Sequence, residues 1–382
     1  VTERESMEKY HCTDANKWAK AHLDELNQAE AEKQHKVLVP LRTDILIPFD
    51  KQNSYNVGYL FLQKIYYDLR LPNICRKISK EYSFSYDLDS ILSRLVYARI
   101  LNPSSKLSCY EQSSDLLEPP AFELHQIYRA LSVIANESDS IQAELYEASR
   151  RLVKRQTGVL YYDCTNYFFE TACQEGLKQY GPSKEHRPSP IVGMGLFIDR
   201  SGNPLAFCIH PGNTNEQTTL IPLEEQILRD FSLSKFIVCT DAGLSSERNR
   251  KFNNFGGRCF ITTQSIKKLK KDLRQWCLEP TGWHLKDSLD TYDISRLEDT
   301  AKNRSKLFYK QLYVEGNDGK RDIDFDQTLI VTYSLKYRNY QQQIRNQQIL
   351  RAIKAIDTEP KRIDKHSQND YRRFIKKTSI TA

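Results

Sequence analysis

The chain has 382 residues, of which 27% are charged and 39% hydrophobic, a balance that excludes a wholly disordered protein and allows two or three domains. No apolar run approaches the roughly 18 residues that a membrane span needs, and the charged first residues, VTERESMEKYHCTD, are untypical of a secretory signal. The nine cysteines include no CxxC pair, which favours reduced thiols and argues against a zinc site. We therefore expect a cytoplasmic protein without a membrane partner.

The net charge of +7 is unevenly distributed along the chain. Residues 265–382 carry 25 lysines and arginines against 16 acidic residues, a net charge of +9, whereas residues 1–264 carry 31 against 33. A basic region attracts a polyanion through counterion release. Charge runs are also typical of solvated faces, so the charge alone leaves both interpretations open.

The first 157 residues predict helices more than strands. Residues 1–50 are expected to form an N-terminal arm, with a polar helical pattern followed by short strands in Val37–Asp50 that two prolines break. Residues 51–157 show apolar residues at three- and four-residue intervals, which predicts four or five helices. This helical region has two open interpretations, a DNA-binding module and a structural or dimerisation module.

Residues 158–264 predict the element order β-β-β-α-β-α-β. The strands are VLYYDC, IVGMGLFID, LAFCIH, FIVCTD and GGRCFITTQ, and the second and third form a hairpin whose turn we expect Asp199 to cap. Because crossover connections are short and right-handed, the strands are expected in the order 3-2-1-4-5 of a mixed sheet. That order makes strands one and four neighbours.

Two aspartates follow from this topology as candidate metal ligands. Asp163 and Asp241 stand where an apolar strand pattern gives way to polar residues, at the predicted ends of strands one and four. Paired carboxylates on neighbouring strands suit a hard divalent cation such as Mg²⁺. The competing interpretation is that each aspartate caps a turn.

Residues 265–382 are less regular. A basic helix, SIKKLKKDLRQWCLE, is followed by strand patterns in WHLKDSLDTYDI, KLFYKQLYVE and TLIVTYS, then by a polar helix from Leu335 to Ile356 and a basic tail. We expect a small β-rich unit here.

The central segments resemble the catalytic core of the DDE transposases of bacterial insertion sequences, which have a ribonuclease H-like fold. The matching runs are YYDCTNYFFET, YGPSKEHRPSPIVGMGLFIDRSGNPLAFCIHPGNTNEQTTL, VCTDAGLSSERN and FITT. The resemblance implies an α/β fold in which residues 158–264 form the first part of the core and residues 265–382 a β-rich insertion and basic tail. It also implies a homodimer or higher assembly on double-stranded DNA, at terminal inverted repeats, near the nucleoid.

The same resemblance implies DNA transposition and recombination by an Asp-Asp-Glu triad that binds two Mg²⁺ ions, with Mn²⁺ as a substitute. Asp163 and Asp241 match the first two positions. Lys184, His186 and Arg187 match the family's SK-x-HRP run, and either grip DNA phosphates or form a structural loop. Trp276 and Trp283 either stack on a displaced base or pack in the core, and core packing is favoured.

The third carboxylate is not found. In the family it lies in the pattern Y-x2-R-x3-E-x6-K, which Tyr67 and Arg70 begin but Ile74 breaks. We expect a C-terminally truncated transposase that is inactive alone. Two alternatives stay open: a non-catalytic DNA-binding remnant that interferes with an intact relative, and a different ribonuclease H-like nuclease or resolvase.

Overall fold

A computed structural model describes residues 7, 14–33, 54–118, 120–316, 325–358 and 370–375. The strands expected in Val37–Asp50 lie outside these residues. The chain divides into two compact units, one comprising Val1–Thr214 with Pro222–Ser234 and the other Asn215–Ile221 with Lys235–Ala382. None of the helices in the described ranges combines the length and hydrophobicity that crossing a membrane requires.

The first unit contains a helical region followed by three strands. Its helices are α1 (Ala15–Lys33), α2 (Tyr59–Asp68), α3 (Leu71–Glu81), α4 (Leu88–Leu101), α5 (Lys106–Ser113), α6 (Leu124–Asn136) and α7 (Ser138–Leu152). Between residues 59 and 152 there are six described helices, so the expectation of four or five is wrong. The additional ones are α3 and α5. α3 follows α2 after a left-handed residue at Arg70, and Ser105 caps α5 by accepting a hydrogen bond from the Ser108 amide.

The helices of this region pack around a core of their own. Tyr59, Ile91, Ile127 and Ala130 are fully buried at its centre. Apolar side chains at three- and four-residue spacing form one face of each helix, and burying these faces together stabilises the region.

The sheet has the strand order β3-β2-β1-β4-β5, as the sequence predicts. Its strands are β1 (Val159–Phe168), β2 (Ile191–Asp199), β3 (Pro204–Pro211), β4 (Ile237–Thr240) and β5 (Cys259–Thr262). β1, β2 and β3 are antiparallel, with a register shift in β2 between Phe197 and Ile198, whereas β4 and β5 are parallel. The predicted ribonuclease H-like mixed α/β fold, preceded by an all-helical region, is confirmed in this topology.

Between and after these strands lie α8 (Leu220–Asp230), α9 (Glu247–Phe252), α10 (Lys271–Leu278), α11 (Ala301–Arg304) and α12 (Leu335–Thr358). The predicted basic helix begins later than expected, at Lys271, after a short 3₁₀ turn at Ile266–Lys268. The predicted polar helix is confirmed as α12.

The second unit contains a separate small sheet, ordered β6-β7-β8. Its strands are β6 (His284–Leu285), β7 (Phe308–Val314) and β8 (Gln327–Tyr333), all antiparallel. Cys277, Trp283, Phe308 and Val331 form its buried core. The strand patterns expected after β5 therefore form one three-stranded sheet, in which the first pattern contributes only two residues.

Candidate functional site

Asp163 lies in the middle of β1, not at its end. The strand continues to Phe168 because Thr165, Asn166 and Tyr167 keep pairing with β2, and this corrects the predicted strand end. Asp163 faces solvent between two buried neighbours, with its side chain 74% exposed. One carboxylate oxygen, Oδ1, accepts a hydrogen bond from the Cys164 amide at 2.8 Å. The carboxylate is thus accessible and partly oriented by its own strand.

Two glycines of β2 make room for side chains of the flanking strands. A Cβ atom at Gly195 would overlap the Tyr162 hydroxyl, and one at Gly193 would overlap the His210 ring. The Tyr162 hydroxyl also accepts a hydrogen bond from the Cys164 thiol at 3.5 Å. The G-M-G run therefore allows the residues on either side of Asp163 to pack tightly, and sequence analysis did not identify this role.

Lys184 lies beside Asp163. Its ammonium group donates a hydrogen bond to the Cys164 carbonyl and is 3.8 Å from Asp163 Oδ2. The loop that carries it, residues 169–190, is tied to the sheet because Gln179 and Ile191 exchange backbone hydrogen bonds of 2.9 and 3.1 Å. The structure thus brings together Asp163 and Lys184, two of the residues that the sequence singled out.

Arg187 and His186 lie in the same loop but do not contact Asp163. The Arg187 guanidinium stacks over the Phe168 ring at 4.0 Å and pairs with Glu185 at 2.8 Å. His186 is exposed and has a left-handed backbone conformation, with a φ of 55°. Such a φ is uncommon for a residue other than glycine.

Asp241 occupies the turn that directly follows β4. Its Oδ1 accepts hydrogen bonds from the amides of Gly243 at 2.9 Å and Leu244 at 3.2 Å. Its Oδ2 accepts none from the residues that the structure describes, and the side chain is exposed. Asp241 is therefore held in one orientation with one oxygen free for a ligand.

Two polar residues that sequence analysis missed support this turn. Gln217 donates a hydrogen bond to the Gly243 carbonyl at 2.8 Å. The buried Asn249 amide donates to the carbonyls of Leu244 and Gln217, each at 3.0 Å. Because buried amides keep their hydrogen bonds, these contacts fix the backbone that orients Asp241.

Asp199 caps the β2–β3 turn, as predicted, by accepting hydrogen bonds from the Ser201 and Asn203 amides at 2.9 and 3.0 Å. It also forms a buried ion pair of 2.6 Å with Arg155, which the sequence did not indicate. Burial alone would raise the pKa of Asp199. The Arg155 hydrogen bond, the amide donors and the Arg155 charge outweigh it, so the pKa lies below its usual value.

The two tryptophans near the start of the β-rich unit have packing roles. Trp283 is almost fully buried and donates a hydrogen bond to the Glu279 carbonyl at 3.0 Å. The buried Lys310 ammonium lies between Trp276 and Trp283, 4.9 and 4.8 Å from the ring centres. Trp283 therefore belongs to the core, as the favoured interpretation expected.

The donors present fit a metal that needs few protein ligands. Within the described ranges, no cluster of three or more histidine, cysteine, aspartate or glutamate side chains suits a metal ion. Mg²⁺ commonly keeps several waters and takes one or two carboxylates together with substrate phosphates. The exposed carboxylates of Asp163 and Asp241 are donors of this kind: Asp163 Oδ2 lies beside the Lys184 ammonium, and Asp241 Oδ2 accepts no hydrogen bond from the described residues.

No protein-family model matches the chain, and no curated protein sequence matches it. Solved structures with similar regions include a Mos1 transposase paired-end complex with left transposon end, 13% identical over 60% of this chain and 81% of that one, with a TM-score of 0.21. They also include a piggyBac transposase synaptic complex with hairpin DNA, 11% identical over 70% of this chain and 58% of that one, with a TM-score of 0.31.

A Mos1 mariner paired end complex with Mn is a third such structure. It is 12% identical over 58% of this chain and 80% of that one, with a TM-score of 0.20. At TM-scores of 0.20 to 0.31, these neighbours determine neither the fold nor the function of this chain.

Proposed function

We propose that this protein is of the insertion-sequence transposase type, that it binds double-stranded DNA, and that Asp163 and Asp241 together hold a divalent metal ion at a DNA phosphate. The observation that carries the proposal is the state of the two carboxylates. Both are exposed, and both are oriented by backbone amides through Oδ1. Asp163 lies within β1 and Asp241 directly follows β4, two strands of a sheet with the ribonuclease H-like order. A turn-capping role alone leaves unexplained why Asp163 lies in mid-strand, away from any turn.

The two aspartates would bind the metal, and Lys184 would contact a phosphate beside it. His186 and Arg187 would contact the backbone further along the loop, Arg187 exchanging its present partner Glu185 for a phosphate oxygen. Bound Mg²⁺, or Mn²⁺ in its place, would orient the attacking oxygen and neutralise charge at the phosphodiester. The expected substrates are terminal inverted repeats, bound by a homodimer or higher assembly at the nucleoid in the cytoplasm.

Strand cleavage and transfer by two metal ions needs a third carboxylate. The Y-x2-R-x3-E-x6-K pattern that would carry it is not present in this sequence. We therefore expect this chain to bind metal and DNA without cutting DNA by itself. DNA binding without catalysis is accordingly the second candidate function, in which the protein interferes with an intact relative by mixed assembly.

A binding and nicking assay tests both parts of the proposal. The protein is titrated against a labelled duplex with Mg²⁺ or with EDTA, and supercoiled plasmid is incubated with it in Mg²⁺ and in Mn²⁺. We expect tighter duplex binding with Mg²⁺ than with EDTA, a difference that Asp163→Asn and Asp241→Asn each remove, and no nicking. Asp68→Asn, an exposed carboxylate on α2, serves as the matched control and should behave as the wild type.

Two outcomes would contradict the proposal in different ways. A protein that binds no duplex under any condition refutes the DNA-binding assignment. Nicking that requires metal and disappears in Asp163→Asn refutes the expected inactivity and shows that the chain supplies a third ligand.

A further inference from the structure

An exposed basic surface, here named the α10 surface, lies at the start of the β-rich unit. It consists of the side chains of Lys267, Lys268, Lys271 and Arg274. Residues 266–278 contain five cationic residues and one acidic residue, a net charge of +4. All four side chains are exposed, and none forms an ion pair with a carboxylate in the part of the chain that the structure describes. Their charge is therefore available to an external partner.

The α10 surface has a rigid support beneath it. Leu273 and Cys277 point into the unit and are buried, while Lys271, Arg274 and Leu278 lie on the opposite face at the three- and four-residue spacing of one helix side. Lys310 fixes the carboxyl end of α10 by donating hydrogen bonds to the carbonyls of Trp276 and Glu279. A helix held in this way presents its cations without first having to be ordered.

A shallow cavity follows the exposed side of α10. It has a volume of about 340 Å³ and is lined by Lys271, Arg274, Gln275, Leu278 and Glu279. The cationic groups lie toward the amino end of the helix and the Glu279 carboxylate at its carboxyl end, so an anion is attracted to one end and repelled from the other. The cavity therefore has a polarity that orients a negatively charged chain across it.

We infer that the α10 surface binds the phosphate backbone of DNA. Double-stranded DNA carries one charge per roughly 1.7 Å of axis, and α10 is about 12 Å long, so several phosphates fit along the helix that carries Lys271 and Arg274. An anionic membrane is the competing partner, but a membrane-binding helix needs an apolar face, and only Leu278 is both apolar and exposed among the described residues of α10. The choice of DNA as the polyanion rests on the proposed function, although the α10 surface includes neither Asp163 nor Asp241.

The expected effect follows from counterion release. Each phosphate contact contributes about 0.9 to the magnitude of the slope of log K against log salt concentration. Relative to 1 M salt, where this contribution is zero, one contact raises the affinity roughly eightfold at about 0.1 M salt. Lys271→Gln combined with Arg274→Gln should therefore lower the slope by about 1.8 and weaken binding by up to about 60-fold. Lys267→Gln combined with Lys268→Gln should lower the slope by a similar amount, which makes the result independent of any one pair.

The measurement is fluorescence anisotropy with a labelled mixed-sequence duplex in EDTA, over a series of KCl concentrations. Lys286→Gln combined with Lys302→Gln is the matched control, since these two lysines are exposed, belong to the same unit and lie outside the α10 surface. Circular dichroism spectra and melting curves confirm that each variant is folded. Asp163→Asn is included only for the Mn²⁺ titration, which reports on the proposed function and not on the α10 surface.

A salt slope that stays the same in both α10 pairs, or falls equally in the control pair, overturns the inference. The variants are also tested with vesicles rich in phosphatidylserine. Loss of vesicle binding with unchanged duplex binding overturns the inference in favour of a membrane. A reduced slope in the α10 pairs beside intact Mn²⁺ binding at Asp163 and Asp241 supports the inference, and loss of Mn²⁺ binding in Asp163→Asn alone concerns only the proposed function.

Discussion

Replacing Arg155 with methionine should destabilise the β2–β3 hairpin selectively. Arg155 is 6% exposed and Asp199 fully buried, and the two side chains are joined at 2.6 Å. The guanidinium also donates to the Ser149 hydroxyl at 2.7 Å and the Pro204 carbonyl at 2.8 Å, and it lies 5.2 Å from the Tyr146 ring centre. Methionine fills part of the space but leaves the Asp199 charge buried without its partner.

The expected cost is about 3 to 5 kcal/mol, the range for breaking a buried ion pair by removing one side. Because the chain has two units, a single unfolding curve is a poor measure, and hydrogen exchange of the β2 and β3 amides by mass spectrometry is better suited. Exchange in these strands should accelerate by at least about 100-fold, since each 1.4 kcal/mol corresponds to about tenfold.

Arg150→Met is the matched control for this prediction. Arg150 lies in α7, five residues before Arg155, and is half exposed and paired with Glu147. Its replacement should therefore change the free energy of opening by less than about 1 kcal/mol. Equal effects of the two substitutions, or a cost below about 1 kcal/mol for Arg155→Met, would refute the view that the pair holds the hairpin on α7.

The same pair gives a pH dependence. The pKa of Asp199 is lower in the folded protein than the value of about 3.9 in an unfolded chain. The ionised Asp199 side chain therefore stabilises the fold fully at pH values above the unfolded-state pKa. The stabilisation is lost as the pH falls through the lower, folded-state pKa. Asp199→Asn should remove this acid-dependent part of the hairpin's exchange protection; an unchanged pH profile would contradict the assignment.

Two further predictions concern the surroundings of Asp163. Gly195→Ala should destabilise the sheet by about 1 to 3 kcal/mol, because the added methyl group displaces the Tyr162 ring. Hydrogen exchange of the β1 and β2 amides measures this loss, and Gly158→Ala, which has open space around it, is the control that should not destabilise the sheet. Lys184→Gln should raise Mn²⁺ affinity about two- to fivefold by removing a competing charge beside Asp163 while weakening duplex binding. A fall in Mn²⁺ affinity in the Lys184 variant would contradict that position of the ammonium group.

The strand order could be predicted because it depends on local signals. Alternating apolar runs, a Gly-Asn turn and one crossover helix leave few topologies, and Asp199 stands at the turn where a short acidic side chain caps backbone amides. The position of Asp163 within β1 was harder to predict, because the polar residues Thr165 and Asn166 suggested a strand end. Their pairing with β2 is a tertiary effect that overrides local polarity.

The supporting contacts could not be predicted from the sequence, since they join residues far apart in the chain. Arg155 and Asp199 are separated by 44 positions, and nothing in the pattern distinguishes Arg155 from its basic neighbours. Lys310 is a second example: a lysine in a strand is expected at the surface, yet two tryptophans and two carbonyls compensate for its burial. Such pairs follow from packing, which becomes apparent only in three dimensions.

The most direct test of the central claim is a double-mutant cycle on Mn²⁺ binding, measured by titration calorimetry. If Asp163 and Asp241 share one ion, Asp163→Asn and Asp241→Asn should each weaken binding by at least about tenfold, and the double variant should be little worse than either. Losses that simply add, or a substitution of either aspartate that leaves Mn²⁺ binding unchanged, would contradict a shared metal site.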